Sequence, residues 1–182
     1  METERLFLRP WQLSDTERLF ELAADPHVGP PCGWNPHQDS GESRYILQNI
    51  LINDYTWAVV RRDDDLVIGN ISLMPLHVSR LAENDTEGEI GYWLGYPYWN
   101  HGYMSEACAR VIQYGFQEKH LKAILACHYE YNPASGKVME KCGMRVIRTQ
   151  PAADDPLRSG GMDVVHRITL DEWNAMKKTS VQ

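Results

Sequence analysis

The chain has 182 residues, 43% of them hydrophobic, with a formal net charge of -7. That length suits one domain with a sizeable core. The acidic balance, with no run of Lys or Arg, argues against nucleic acid, which demands cations clustered on one face. It fits a cationic or amine substrate. The opening METERLFLRPW is charged and then strand-like, without an apolar signal core, and no window reaches the length of a membrane span. The four cysteines, Cys32, Cys108, Cys127 and Cys142, show no C-x-x-C spacing, and the seven histidines form no metal-ligand set. No metal is expected, and the cysteines are expected to be reduced thiols of a cytoplasmic protein.

In chain order, Arg5 to Trp11 alternates and predicts a strand. Ser14 or Asp15 can cap a helix through about Ala24 with Leu19, Leu22 and Ala23 on one side. Asp25 to Asp39, rich in Pro, Gly and His, predicts a loop, and Gly41 to Asp54 a second helix. Thr56 to Arg62, Leu66 to Leu76 and Glu87 to Leu94 then read as strands, the first two joined by a polar hairpin turn at Arg62 to Asp65. A helix from about Tyr103 to Lys119 carries the stripe Ala107, Cys108, Val111, Ile112, Gly115 and Phe116. Lys122 to Tyr129 is a strand, and Pro133 to Lys141 a short helix with Gly143 as its C′ glycine. Met144 to Thr149 and Met162 to Thr169 are strands joined by PAADDPLRSGG, and Leu170 to Lys178 is a last helix. The order predicts a single α/β (α+β) domain over residues 1–182, with a mixed, mostly antiparallel sheet flanked by helices.

The stretch YPYWNHGYMSEACARVI, Tyr96 to Ile112, leads an uncharged turn into the helix. A helix start leaves N–H groups unpaired and carries partial positive charge, so it can hold a phosphate without a basic side chain. Gly102 permits close approach and Asn100 tolerates left-handed backbone. On local features alone, one glycine before a helix is more often a plain turn.

The sequence resembles the GNAT superfamily of acyl-CoA N-acyltransferases, closest to the RimJ/RimL-like branch that acetylates ribosomal-protein N-termini. RLFLRPWQLSD, EIGYWLGYPYWNHGYMSEA, NPASGKVMEKCGM and MDVVHRITLDEW carry the resemblance, in the family's order and over nearly the whole chain. The family's pyrophosphate loop, Gln/Arg-x-x-Gly-x-Gly/Ala, corresponds to Trp99-Asn100-His101-Gly102-Tyr103-Met104. The central glycine matches. Trp99 and Tyr103 fit the branch's Trp-Gly-x-Gly-Tyr, Asn100 replaces a glycine, and Met104 stands where a small residue is usual. The resemblance implies acetyl-CoA as cosubstrate and a V-shaped split between the strands Glu87 to Leu94 and Lys122 to Tyr129. Pantetheine would bond there to the backbone of Tyr92, Trp93 and Leu94, and the pyrophosphate to the turn from Asn100 through Ser105, His101 included.

Acetyl transfer to an amine needs a neutral amine, a stabilised oxyanion and a protonated leaving thiolate. An α-amine is roughly 10% neutral at pH 7, a deficit of about 1.4 kcal/mol, whereas a lysine is neutral at about 0.04%, a deficit of about 4.6 kcal/mol. A protein N-terminus therefore needs only a modest base, which water can relay. Glu89 is the candidate base, against a plain reading as a solvated strand carboxylate beside Glu87. A neighbouring carboxylate on the same face would favour the base role. By resemblance Ser135 is the acid that meets the CoA sulfur, with Tyr131 and Tyr129 as rivals. Asn132 reads as a helix cap or a cofactor contact, and Lys137 as a solvated side chain or a phosphate contact. Trp34, outside any periodic segment, is the candidate acceptor-binding residue, and His37 and His101 are candidate proton carriers. The reading is direct transfer in a ternary complex to a primary amine, foremost a protein N-terminus, by a monomer or homodimer with no nucleic-acid or membrane partner. The alternatives are a small amine such as an antibiotic or polyamine, and a non-catalytic acyl-CoA-binding module. The loops Pro26 to Asp39, His77 to Thr86 and Pro151 to Gly161 are expected to shape the acceptor entrance.

Overall fold

The computed structural model describes residues 1–152 and 161–179. In chain order its elements are β1 (Leu6–Arg9), α1 (Thr16–Ala23), α2 (Gly29–Cys32), α3 (Ser40–Ile46), β2 (Thr56–Arg61), β3 (Val67–Met74), β4 (Glu87–Leu94), α4 (Tyr103–Gln117), β5 (Ala123–Tyr129), α5 (Pro133–Lys141), β6 (Arg145–Pro151), β7 (Met162–Thr169) and α6 (Leu170–Thr179). The strands form one seven-stranded sheet in the order β1-β2-β3-β4-β5-β7-β6. The pairs β1–β2, β2–β3, β5–β7 and β6–β7 are antiparallel and β4–β5 is parallel. This is the expected mixed, mostly antiparallel α/β sheet.

Several boundaries differ from the sequence expectations for local reasons. β1 stops at Arg9, because Pro10 has no N–H for the ladder. The expected loop after Asp25 contains the helical turn α2, whose prolines sit in a first turn where N–H groups have no intrahelical acceptor; Gly33, at φ 85, ends it. The second helix is α3 followed by a π turn over Leu47–Leu51, where the Ile52 N–H reaches back to the Leu47 carbonyl at 2.9 Å. The connection from Pro151 to Gly161 lies, over residues 153–160, outside the described residues.

The chain divides into two compact units, Met1–Ser72 with Tyr92–Arg110, and Leu73–Gly91 with Val111–Gln182. In the first, Trp11, Leu19, Leu22, Ala23, Leu47, Leu51, Ala58, Val60 and Val67 form one apolar cluster, with Trp34, Trp93 and Tyr98 packed on it. Each Leu or Val among them contributes about 1.5–3 kcal/mol by leaving water. The Trp11 indole, buried here, donates its N–H to Asn70 Oδ1 at 2.8 Å, so its polar edge is satisfied. In the second unit α4 approaches β5 closely: a Cβ on Gly115 would lie 2.7 Å from Ile124. β7 pairs with β5 throughout and with β6 on its other side, where a bulge falls between Val146 and Arg148.

Candidate cofactor turn and acyl-transfer residues

The turn before α4 is held from both ends. Upstream, the Trp99 indole N–H donates to the Leu94 carbonyl at 2.7 Å, and its ring meets Tyr96 edge-on at 5.1 Å. Asn100 (φ 64) and Gly102 (φ 80) both take left-handed backbone, which turns the chain into the helix. The Glu106 N–H then bonds the Gly102 carbonyl at 3.1 Å, the first bond of α4. Amides ahead of it, at Tyr103 and Met104, have no acceptor within the helix, and the dipole of a 15-residue helix favours an anion beside them. Among the described residues a Cβ on Gly102 would meet only Arg5 Nη2, at 3.5 Å, so there is room beside that glycine. Met104, where a small residue is usual, is buried. The residues fit a pyrophosphate. His101 is exposed and its ring stacks on Tyr103 at 5.8 Å.

Arg5 was not singled out by the sequence. Its Nε donates to Glu106 Oε2 at 2.7 Å, its backbone N–H to Glu106 Oε1 at 2.8 Å, and its Nη1 to the His101 carbonyl at 3.0 Å. Thr3 Oγ1 donates to Glu106 Oε1 at 2.6 Å. Burial works against the Glu106 carboxylate, but the hydrogen bonds from Thr3 and Arg5 outweigh it and hold its carboxyl below the usual range. Tyr103 lies under the Arg5 guanidinium, 4.7 Å from the ring centre. No local signal marks these pairs, because about a hundred residues separate their members.

β4 pairs with β5 from Glu87↔Ala123 to Glu89↔Leu125, and both strands run on past the last pair. Glu89 sits at that point and is 4% exposed, so it is not a solvated carboxylate. Its Oε2 accepts from Ser79 Oγ at 2.8 Å, from the Arg80 N–H at 2.8 Å and from the Leu81 N–H at 3.2 Å. Glu87 Oε2 accepts from the Glu83 N–H at 2.9 Å. The two carboxylates thus strap down the β3–β4 connection. Further along β4, Leu94 is buried, while Tyr92 and Trp93 are half-buried, Trp93 lying 6.4 Å from Trp11 and 6.0 Å from Trp34.

At the start of α5, Asn132 accepts the Ser135 N–H on its side-chain oxygen at 3.4 Å and on its carbonyl at 3.2 Å, and Pro133 follows in the first turn. Ser135 is half-buried there, and Lys137 is exposed. The rival acids stack on each other at 5.2 Å, Tyr129 buried and Tyr131 54% exposed. Gly136 leaves no room for a side chain, since a Cβ would lie 2.5 Å from His128 Nε2. His128 Nδ1 faces the Tyr129 carbonyl at 2.8 Å, which fixes the Nδ1–H tautomer because a carbonyl only accepts.

Trp34 is half-buried against the first unit's core and packs within 5.5 Å of His37. His37 Nδ1 lies 2.8 Å from Ser43 Oγ, and burial holds its imidazole below the usual range. Glu89, Ser135, Tyr129 and Tyr131 belong to the second unit, and the turn, Trp34 and His37 to the first. Among the described residues no group of three or more His, Cys, Asp or Glu is placed to hold a metal, and no helix is long and apolar enough to cross a membrane.

The mixed α/β sheet with one parallel pair, β4–β5, and a left-handed turn between β4 and the 15-residue helix α4 are the features that invite comparison with known folds. The acetyltransferase (GNAT) domain model matches residues 5–145, and the chain belongs to that family. It is 30% identical over 143 residues to YnaD of Bacillus subtilis, named an uncharacterized N-acetyltransferase, covering 79% of this chain and 81% of that one. YdaF of the same organism, named provisionally as a ribosomal N-acetyltransferase, is 31% identical over 117 residues, 63% of this chain and 60% of that one. The crystal structure of a GNAT-family acetyltransferase from Bacillus anthracis superposes with a TM-score of 0.79 at 23% identity, covering 93% of this chain and 97% of that one. The protein is an acyltransferase of the GNAT N-acetyltransferase type.

Proposed function

We propose that residues 1–182 act as one acetyl-CoA-dependent N-acetyltransferase domain of the RimJ/RimL-like branch, in the cytoplasm, on a protein N-terminal α-amine. The observation that carries this reading is the setting of Glu89. Its Oε2 is occupied by three donors. Oε1 is then the oxygen that receives a proton from the incoming amine, directly or through water. Such limited help suits an acceptor that is already partly neutral near pH 7, as an α-amine is. YdaF's name points to the same class of acceptor, and four cysteines outside any disulfide agree with a reducing compartment.

Bound acetyl-CoA would supply the activated acyl group as a thioester. The amides at the head of α4 would hold its pyrophosphate, and the backbone of Tyr92 to Leu94 would orient pantetheine. Ser135 Oγ would return a proton to the departing sulfur. The test is thiol release from acetyl-CoA across peptides, polyamines and aminoglycosides. Release is expected with peptide α-amines. Release with polyamines or aminoglycosides alone would move the acceptor to small amines, and CoA binding without release on any amine would leave a binding module.

A further inference from the structure

We propose that Arg5 is a positioning residue for the cofactor turn: it fixes the His101–Gly102 peptide so that the Gly102 N–H faces the bound anion. This rests on the reading that the turn holds the cofactor's pyrophosphate.

The turn contains no Lys or Arg, and the cation beside it arrives from the residue preceding β1. Arg5 Nη1 donates to the His101 carbonyl at 3.0 Å. The His101–Gly102 peptide is trans, as no cis bond occurs among the described residues, and in a trans peptide the C=O and N–H point in opposite directions. With the carbonyl drawn to Arg5, the Gly102 N–H points to the other side. Gly102 most needs such a restraint, because a glycine at φ 80 visits the left-handed well without steric guidance.

The remaining contacts separate positioning from direct phosphate binding. Arg5 Nε is spent on Glu106 Oε2 at 2.7 Å, so its charge is already paired. Glu106 is in turn held by Thr3 Oγ1 at 2.6 Å and by the Arg5 backbone N–H at 2.8 Å. The guanidinium lies over Tyr103 and backs the position a Gly102 side chain would take. A planar fork that must reach a carboxylate and a carbonyl at once has no substitute in lysine's single ammonium.

The test compares Arg5→Met, Arg5→Lys, Glu106→Gln and Gly102→Asp by titration calorimetry with CoA and by steady-state kinetics on a peptide amine. Arg5→Met and Arg5→Lys are each expected to weaken CoA by about 10-fold, the scale of one lost oriented hydrogen bond. KM for acetyl-CoA is expected to rise in step, while kcat and KM for the amine stay within about 2-fold, the signature of lost cofactor binding. Glu106→Gln keeps shape and volume, and is expected to lower CoA affinity by about 3-fold by loosening Arg5. If Arg5→Lys binds CoA as the parent does, charge alone matters and the positioning role is wrong. Equal damage to both substrates' KM and to kcat would mark Arg5 as a general structural residue and overturn it too. Should Arg5→Met fail to fold, parental affinity in Glu106→Gln overturns the proposal. Loss of binding in Gly102→Asp with parental binding in Arg5→Met removes only the Arg5 role. Parental binding in Gly102→Asp removes the turn reading and this proposal together.

Discussion

The hydroxyl of Ser79 donates to the carboxylate of Glu89 at 2.8 Å, so one oxygen of a buried strand residue fastens the loop that precedes its own strand. Glu89→Gln changes both jobs by little in shape and by one charge. Turnover at pH 7 is expected to fall by roughly 10-fold or more, the low end for lost general-base help, with CoA affinity nearly unchanged. The deficit is expected to shrink as pH rises toward the amine's own pKa, where the acceptor deprotonates unaided. A pH–rate profile beside a CoA titration checks this; a parental rate at pH 7 refutes the base role.

Ser135→Ala is expected to lower turnover by a similar factor. Raising the pH is not expected to restore it, because the missing proton belongs to the leaving group. The Ser135 backbone N–H keeps its bonds to Asn132, so the helix start survives the change. Parental turnover in this variant would pass the role to Tyr131.

Gly102→Ala separates backbone strain from bulk. At φ 80 an L-residue costs about 1–2 kcal/mol, while among the described residues the added methyl meets only the tip of Arg5. A stability loss of that size in urea unfolding, with a modest loss of CoA affinity, is the expected pair. Gly102→Asp adds a negative charge to the same strain, and CoA in excess is expected to leave its melting temperature unmoved while raising that of the parent.

His166 is 0% exposed, its ring 5.2 Å from His128, and neither of its nitrogens has a hydrogen-bond partner among the described residues. Burial pushes both imidazoles below their usual range, and the charge of His128 lowers His166 further; Glu140 opposes the shift at both and Asp163 at His128. Both groups are neutral in the fold and take protons more readily when unfolded. Their contribution is therefore complete above about pH 6.5 and is lost as the pH falls through the lower folded values. His166→Leu is expected to flatten the stability–pH curve below about pH 6.5. Chemical denaturation at pH 7.5 and 5.5 checks it, and an unchanged slope refutes it.

Local chemistry was legible where it sufficed to specify backbone. Glu87–Leu94 and Pro133–Lys141 begin and end where alternation, the Asn132-Pro133 start and Gly143 place them. The buried stripe of α4 is the one its 3.6-residue period predicts. α2 was hidden because Pro and Gly signal loops until their place in a first turn is known. The clamp on the turn was hidden for a different reason. Arg5 and Glu106 are 101 residues apart, and nothing in either neighbourhood names the other. The same holds for Glu89, whose burial follows from a loop folding over it.

Among the described residues strand β6 ends the sheet, with β7 on one side and no strand on the other. Such a margin recruits strands from other molecules, and Val146 and Ile147 lie exposed along it. Three features work against that recruitment. Arg145 and Arg148 put charge on the strand, the bulge between Val146 and Arg148 breaks its regular spacing, and Pro151 withholds a donor at its end. These few residues, placed where an added strand would dock, are expected to keep concentrated solutions of the protein from fibrillar self-association.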